Sequence, residues 1–264
     1  MKRGVIFAGR NFKECVRDPL AYIFCIGFPL LMLALFAVIN AFLPVKQSTF
    51  EYSSLVAGIL PFGFTFVMLT LCLLVSKDCS TAFLKRLKTS PMRSVDFVFG
   101  YAVTGFVAGV IQAITCVAGG ALLALITGDE YFSFGRACLL VSSQIPVLLI
   151  CVFTGIFFGS VLNEKAAPAL TSVFITASGV LGGAWMPLDT MGSFETICRF
   201  LPFYPSVCIG RVITGAYHSI TDYATNVRQP YSFDTPTALG IITIAVWLVV
   251  SAIAACLFFG KKSK

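Results

Sequence analysis

Six stretches without a single formal charge govern what this chain can become. The gaps Asp18–Lys46, Glu51–Lys77 and Asp96–Asp129 enclose 27, 25 and 32 uncharged positions, and Arg136–Glu164, Lys165–Asp189 and Asp234–Lys261 enclose 27, 23 and 26. A helix needs about 20 apolar residues to cross a hydrocarbon layer of about 30 Å, so each gap holds one helix and none holds two. The expected spans lie near 20–43, 53–76, 98–127, 137–162, 169–187 and 237–260. With 58% hydrophobic and only 12% charged residues, against about 25% charged in an average soluble domain, the chain cannot cover a water-facing surface. A soluble enzyme, a disordered tail and a nucleic-acid reader are excluded. The alternation over about ten residues that marks a membrane barrel strand is missing from the apolar runs.

Orientation follows from the basic residues. With the N-terminus in the cytoplasm, that side collects 14 of the 19 Lys and Arg residues, and the opposite side collects 5. The bias predicts a multi-pass protein of the cell (plasma) membrane with both termini cytoplasmic. The formal net charge of +7 then reflects topology and attraction to anionic lipid, not nucleic acid. The first apolar run is longer than a signal core, contains Pro29 and lacks an A-x-A-like cleavage site, so it reads as a retained span.

Asp18-Pro19 and Thr235-Pro236 each place a capping oxygen before a first-turn proline, and Pro168 opens the fifth span. Pro29, Pro61 and Pro146 fall inside spans, where each removes a ladder hydrogen bond and predicts a kink. Gly105-x-x-x-Gly109 and Gly155-x-x-x-Gly159 allow close backbone approach, read here as packing within one subunit with a dimer seam as the alternative.

The chemistry that is missing is as informative. No charge sits inside a span, so the usual relay groups of an ion-coupled carrier are lacking. The single histidine, His218, falls in an outside loop, and no G-x-x-x-x-G-K-[ST] phosphate loop occurs. The ten cysteines include no C-x-x-C pair and mostly act as small hydrophobes in spans. Cys198 and Cys208 both fall outside, where an oxidising exterior permits a disulfide. No catalytic residues, metal ligands or cofactors are expected.

Three segments stand apart from the spans. Residues 3–18 form a basic amphipathic helix suited to the membrane interface, with Val5, Ala8, Phe12, Cys15 and Val16 on one face and Arg3, Arg10, Lys13, Glu14 and Arg17 largely on the other. Residues 77–96 form a basic cytoplasmic loop, in which Leu84 and Leu87 are crowded by Lys85, Arg86 and Lys88 and Ser90-Pro91 closes the turn. Residues 188–235 are too apolar for a loop at first and then polar. Phe194, Ile197, Cys198 and Leu201 follow a helical spacing ended by Pro202 and Pro205, and Val207–Ala216 suits a second short helix. The expected fold class is all-α. It is a single membrane domain over 1–264 with six transmembrane helices, an N-terminal interfacial helix and two short outer re-entrant helices between spans five and six.

These segments resemble the type-2 permease subunits of ATP-binding-cassette exporters, with a likeness to drug and lipid exporters. The first cytoplasmic loop of that family reads like E-x-x-x-G-T-L-E-x-L-x-x-[ST]-P. Here Asp78 stands at the acidic position, Leu84 and Leu87 at the leucines and Ser90-Pro91 at the end, while Ala82, Phe83 and Lys85 replace the glycine, threonine and second glutamate. The outer block GGAWMPLDTMGSFETICRFLPFYP also fits, with Pro187, Pro202, Pro205 and Arg211 at matching spacing.

The resemblance implies a dimer of permeases, identical or paralogous, on two cytoplasmic ABC ATPase subunits. It assigns ATPase coupling to Asp78, Leu84, Lys85, Arg86, Leu87, Ser90 and Pro91, and an outer gate to Gly182, Gly183, Pro187, Pro202 and Pro205. Cargo would be a hydrophobic or amphipathic drug, peptide or lipid, and drug or antibiotic resistance a consequence. The other partner is membrane lipid. Two alternatives stand beside it: a non-transporting immunity or sensor subunit that binds a toxin or lipid, and an ion-coupled carrier. Gln112, Gln144, Thr171, Thr176 and Ser178 are candidate lumen groups.

Overall fold

The computed structural model describes residues 2–43, 48–80, 94–127, 133–221 and 228–263. Among these, five helices are long and apolar enough to cross a membrane: α2 (Pro19–Phe42), α3 (Tyr52–Ser80), α4 (Ser94–Thr127), α5 (Phe134–Val161) and α9 (Thr235–Ser263). They are joined by α1 (Lys2–Arg17), α6 (Ala167–Leu181), α7 (Ser193–Cys198) and α8 (Phe203–Thr214). A small antiparallel hairpin of β1 (Tyr217–Thr221) and β2 (Arg228–Pro230) departs from the all-α expectation, since this stretch reads as an exposed loop in sequence.

The fifth expected span is the main correction. Helix α6 has 15 residues, about 22 Å at 1.5 Å per residue and short of the roughly 30 Å layer. It ends at Leu181 rather than 187 because Gly182 and Gly183 turn the chain, Gly183 with φ +65°, a conformation that favours glycine. Among the described residues, five helices of spanning length and one shorter apolar helix stand in place of the six expected spans.

The prolines act unequally. Asp18 caps α2 as expected, its Oδ1 accepting from Leu20 N at 3.0 Å. Just before Pro29 the helix widens to a π turn over Ile23–Gly27, one way to rehouse the carbonyls that a proline frees. At Pro146 helix α5 breaks at Gln144. Pro61 sits inside an uninterrupted α3. Pro205 does not end a helix: α8 starts at Phe203 and takes Pro205 in its first turn, where no N–H is needed.

Helix α3 is the centre. It is buried over most of its length from Tyr52 to Asp78, Lys77 being exposed, and meets α2, α4, α5, α6 and α8, as expected of a helix apolar on every side. The glycine pairs serve these seams within the chain. A Cβ at Gly155 would lie 2.7 Å from the Met68 carbonyl oxygen, and one at Gly159 2.7 Å from that of Cys72, so α5 rides directly on the α3 backbone. Gly105 and Gly109 make room for Leu71 and Leu148.

Helix α1 lies across α4. Its buried stripe is Gly4, Phe7, Ala8 and Asn11, which shares only Ala8 with the expected apolar face; of the rest of that face Phe12 and Cys15 are half-buried, and Val5 and Val16 are 58% and 45% exposed. The helix thus carries two apolar strips, one against protein and one turned outward. Cys198 and Cys208 are free thiols, with no disulfide between them. Cys198 instead packs with Leu188 and Tyr204.

Candidate functional site

Two polar networks interrupt this apolar body, one at each end. The first sits where α1 crosses the last turn of α3. The Arg10 guanidinium forks onto Asp78, Nη1 to Oδ2 at 3.1 Å and Nη2 to Oδ1 at 3.2 Å. Tyr101 of α4 donates to Asp78 Oδ2 at 2.7 Å. Arg10 also reaches Glu14 at 2.8 Å, and Lys77 donates to the other Glu14 oxygen at 3.0 Å. Asp78 is 3% exposed, a position a carboxylate tolerates only when paired and hydrogen-bonded. Burial pulls the Arg10 pKa down, but the Asp78 hydrogen bond and the charges of Asp78 and Glu14 outweigh it and hold the guanidinium above its ordinary value.

Apolar contacts fix the same joint. Phe7 stands edge-on to Phe97 and Tyr101, with centroids 5.4 and 5.0 Å apart, and Gly100 leaves the space that Phe7 fills. Thr104 Oγ1 donates to the Ala8 carbonyl at 3.2 Å. The described part of α3 ends at Ser80, two residues beyond Asp78. The other expected coupling residues, Leu84, Lys85, Arg86, Leu87, Ser90 and Pro91, lie outside the described residues.

The second network is at the opposite end, in the turn after α6. Arg211 of α8 is 2% exposed. Its Nη2 donates to the Gly183 carbonyl at 2.9 Å and its Nη1 to Tyr231 Oη at 3.3 Å. Tyr231 donates to Asp189 Oδ2 at 3.3 Å, and His218 Nδ1 lies 3.3 Å from the same oxygen with its ring stacked on Tyr231 at 3.7 Å. Burial pulls the Arg211 pKa down, but Tyr231, Cys208 and Asp189 together raise it, so the cation persists inside the protein. Burial also pushes the Tyr231 hydroxyl up, keeping it a donor.

All five expected gate residues fall in or beside this end. A Cβ at Gly183 would press on Leu188 at 3.0 Å and Tyr204 at 3.3 Å, and one at Gly182 on Phe203 at 3.1 Å. Pro187 precedes the three-residue turn Leu188–Thr190, Pro202 precedes α8, and Pro205 packs against Gly240 of α9. Glu195 of α7 accepts from Arg199 at 2.7 Å and Tyr204 at 2.8 Å. Gln144 and Ser206 bond each other's polar groups, Gln144 Nε2 donating to the Ser206 carbonyl at 3.0 Å. Thr214 Oγ1 donates to Ser53 O at 2.8 Å.

Sequence reasoning missed most of this cluster. His218 reads as a plain loop residue, and Asp189 and Tyr231 carry no motif. A cation inside the apolar run FYPSVCIGRVIT was the available signal. Of the candidate lumen groups, Thr171, Thr176 and Ser178 donate to carbonyls of their own helix at 2.6, 3.0 and 2.7 Å, and Gln144 ties α5 to α8. Gln112 is buried beside Gly63 on the α3 face of α4.

A family model described as ABC-2 type transporter matches residues 5–213 of the chain. No curated protein matches it significantly.

Proposed function

The chain belongs to the ABC-2 type transporter family, and from that premise we propose that it is the permease half of an ATP-driven exporter carrying a hydrophobic or amphipathic drug, peptide or lipid-like substrate out of the cytoplasm or inner leaflet. Permeases of this family are non-catalytic transport subunits that typically pair with a cytoplasmic ABC ATPase. On our reading two permeases, identical or paralogous, sit on two ATPases with both termini in the cytoplasm. The ATPase docks on residues 81–93, through Leu84, Lys85, Arg86, Leu87, Ser90 and Pro91.

The observation that carries this reading is the Arg10–Asp78–Tyr101 joint. It fastens the amphipathic helix to the point where the docking loop leaves α3, so a push on the loop moves α1, α3 and α4 together. Asp78 acts here as a positioning residue, because its carboxylate is spent on Arg10 and Tyr101. At the opposite end, α7 and α8 are the re-entrant pair that caps the exit. Two contacts support that depth. Trp247, 12 residues into α9 and so about 18 Å along its axis, donates to the Phe200 carbonyl at 2.9 Å. Phe203 meets Phe174, seven residues below the top of α6, with centroids 5.9 Å apart.

The test is isolation of the native complex. We expect a soluble ATPase to copurify and transport to be vanadate-sensitive. Native assembly without an ATPase rejects the reading. Protection of cells with an ATPase-dead partner would instead favour the immunity or sensor alternative.

A further inference from the structure

Between α5, α6, the Leu201–Phe203 turn and α9 lies a cavity of about 240 Å³. Its walls are carbon, dominated by Phe157, Phe158, Phe174, Phe203 and Trp247, and no charged side chain lines it. Of the three hydroxyls that line it, those of Ser178 and Ser251 are already committed, donating to the Ile175 and Leu248 carbonyls at 2.7 and 3.0 Å, and Thr154 adds a single further hydroxyl. The Trp247 indole N–H is likewise spent on Phe200. A polar or charged ligand therefore finds little to bind. Trp247 and Val250, on the rim, are 39% and 51% exposed and belong to a helix of membrane-spanning length and composition.

We propose that this cavity holds one acyl chain of a membrane lipid as a fixed occupant, seated beneath the Leu201–Pro202–Phe203 turn. An apolar cavity does not recruit water, and left empty its walls lose dispersion contacts. A helix from a second copy is about 10–12 Å across and covers the mouth without filling the space. A hydrocarbon chain fits, and the bilayer supplies it. No hydrophobic effect separates bilayer from cavity, so retention comes from close contact with rings held in place. Phe203 is fixed against Phe174, and Trp247 by its bond to Phe200. The lipid would thus support the turn that carries Pro202 and Phe203, coupling the exit cap to the bilayer. The proposal rests on α9 spanning the membrane and is independent of the exported cargo.

The test uses the purified full chain in phosphatidylcholine vesicles doped with phosphatidylcholine that carries a diazirine on its acyl chain. Labelled residues are mapped after illumination. We expect labelling at Phe157, Ala177 and Ala254 to exceed that at the exposed positions Val173 and Ile241 by about tenfold, the ratio that about 1.4 kcal/mol of preference gives. The double variant Ala177→Leu/Ala254→Leu fills the cavity and should bring its labelling down to that of the exposed faces with thermal unfolding unchanged. If that variant fails to fold, the wild-type map decides alone. Equal labelling of cavity and exposed faces overturns the proposal, because the lipid is then only annular. Weaker labelling in the cavity also overturns it, because a second copy or cargo then covers the mouth.

Discussion

Asp78 and Arg10 show how little of a polar site is visible one residue at a time. In sequence Asp78 is an acid at the foot of a span and Arg10 one of several bases on an amphipathic helix. Only the fold brings them, 68 residues apart, into one fork. Because Arg10 remains partly exposed, the pair is worth less than the ~3–5 kcal/mol lost on breaking a fully buried one. A double-mutant cycle of Arg10→Gln and Asp78→Asn should give a coupling energy of about 1–3 kcal/mol, read from unfolding in detergent. Partner-stimulated ATPase activity should fall more in Asp78→Asn than in Lys13→Gln, since Lys13 is exposed. Equal losses would remove Asp78 from the coupling path. Arg211 is the harsher case, being fully enclosed. Arg211→Leu should cost about 3 kcal/mol by stranding the Gly183 carbonyl and removing the positive charge beside Asp189. Arg211→Lys should recover part of it, because it keeps the charge but not the two-pronged reach.

At the scale of elements, the long spans were legible because charge is expensive in hydrocarbon and so marks helix ends. What faces those helices was not legible. Helix α3 and helix α9 are both almost continuously apolar, yet α3 is enclosed by protein while α9 leaves Ile242, Val249 and Leu257 more than half exposed. Hydropathy reads lipid and protein interior alike. The misjudged span boundary at Leu181 turned on a Gly-Gly turn whose positive φ no hydropathy count registers. The glycine spacing did carry usable information, and it yields a sharp contrast. Gly155→Ala places a methyl 2.7 Å from a backbone carbonyl on α3, where no side chain can yield. It should part the α3–α5 seam at a cost of about 1–3 kcal/mol. Gly135→Ala in the same helix meets nothing within 4 Å and should be neutral or stabilising by about 0.5–1 kcal/mol through helix propensity. Thermal unfolding of the two variants side by side checks this. Equal effects would mean that α5 does not ride on α3 as closely as the structure has it.

For the whole molecule, the decisive quantity is the sidedness of its charge. The two polar networks sit at opposite ends of the helices, so their roles depend on which end meets ATP. If the proposed orientation holds, the joint at Asp78 faces the cytoplasm and the Arg211 cluster faces outward. The 14-to-5 division of Lys and Arg favours this strongly, since basic residues near span ends resist translocation. In a functional cysteine-free background, an impermeant maleimide should modify Met191→Cys in intact cells, because Met191 is 39% exposed beside the outer turn. The same reagent should reach Lys13→Cys only after permeabilisation. Labelling in the reverse order would exchange the two ends and set the Arg10–Asp78 joint outside, out of reach of a cytoplasmic ATPase. The coupling role of that joint would then fall, while the helix packing would stand. Labelling of both from outside would mean that the spans between them do not alternate as four long helices and a shorter one require.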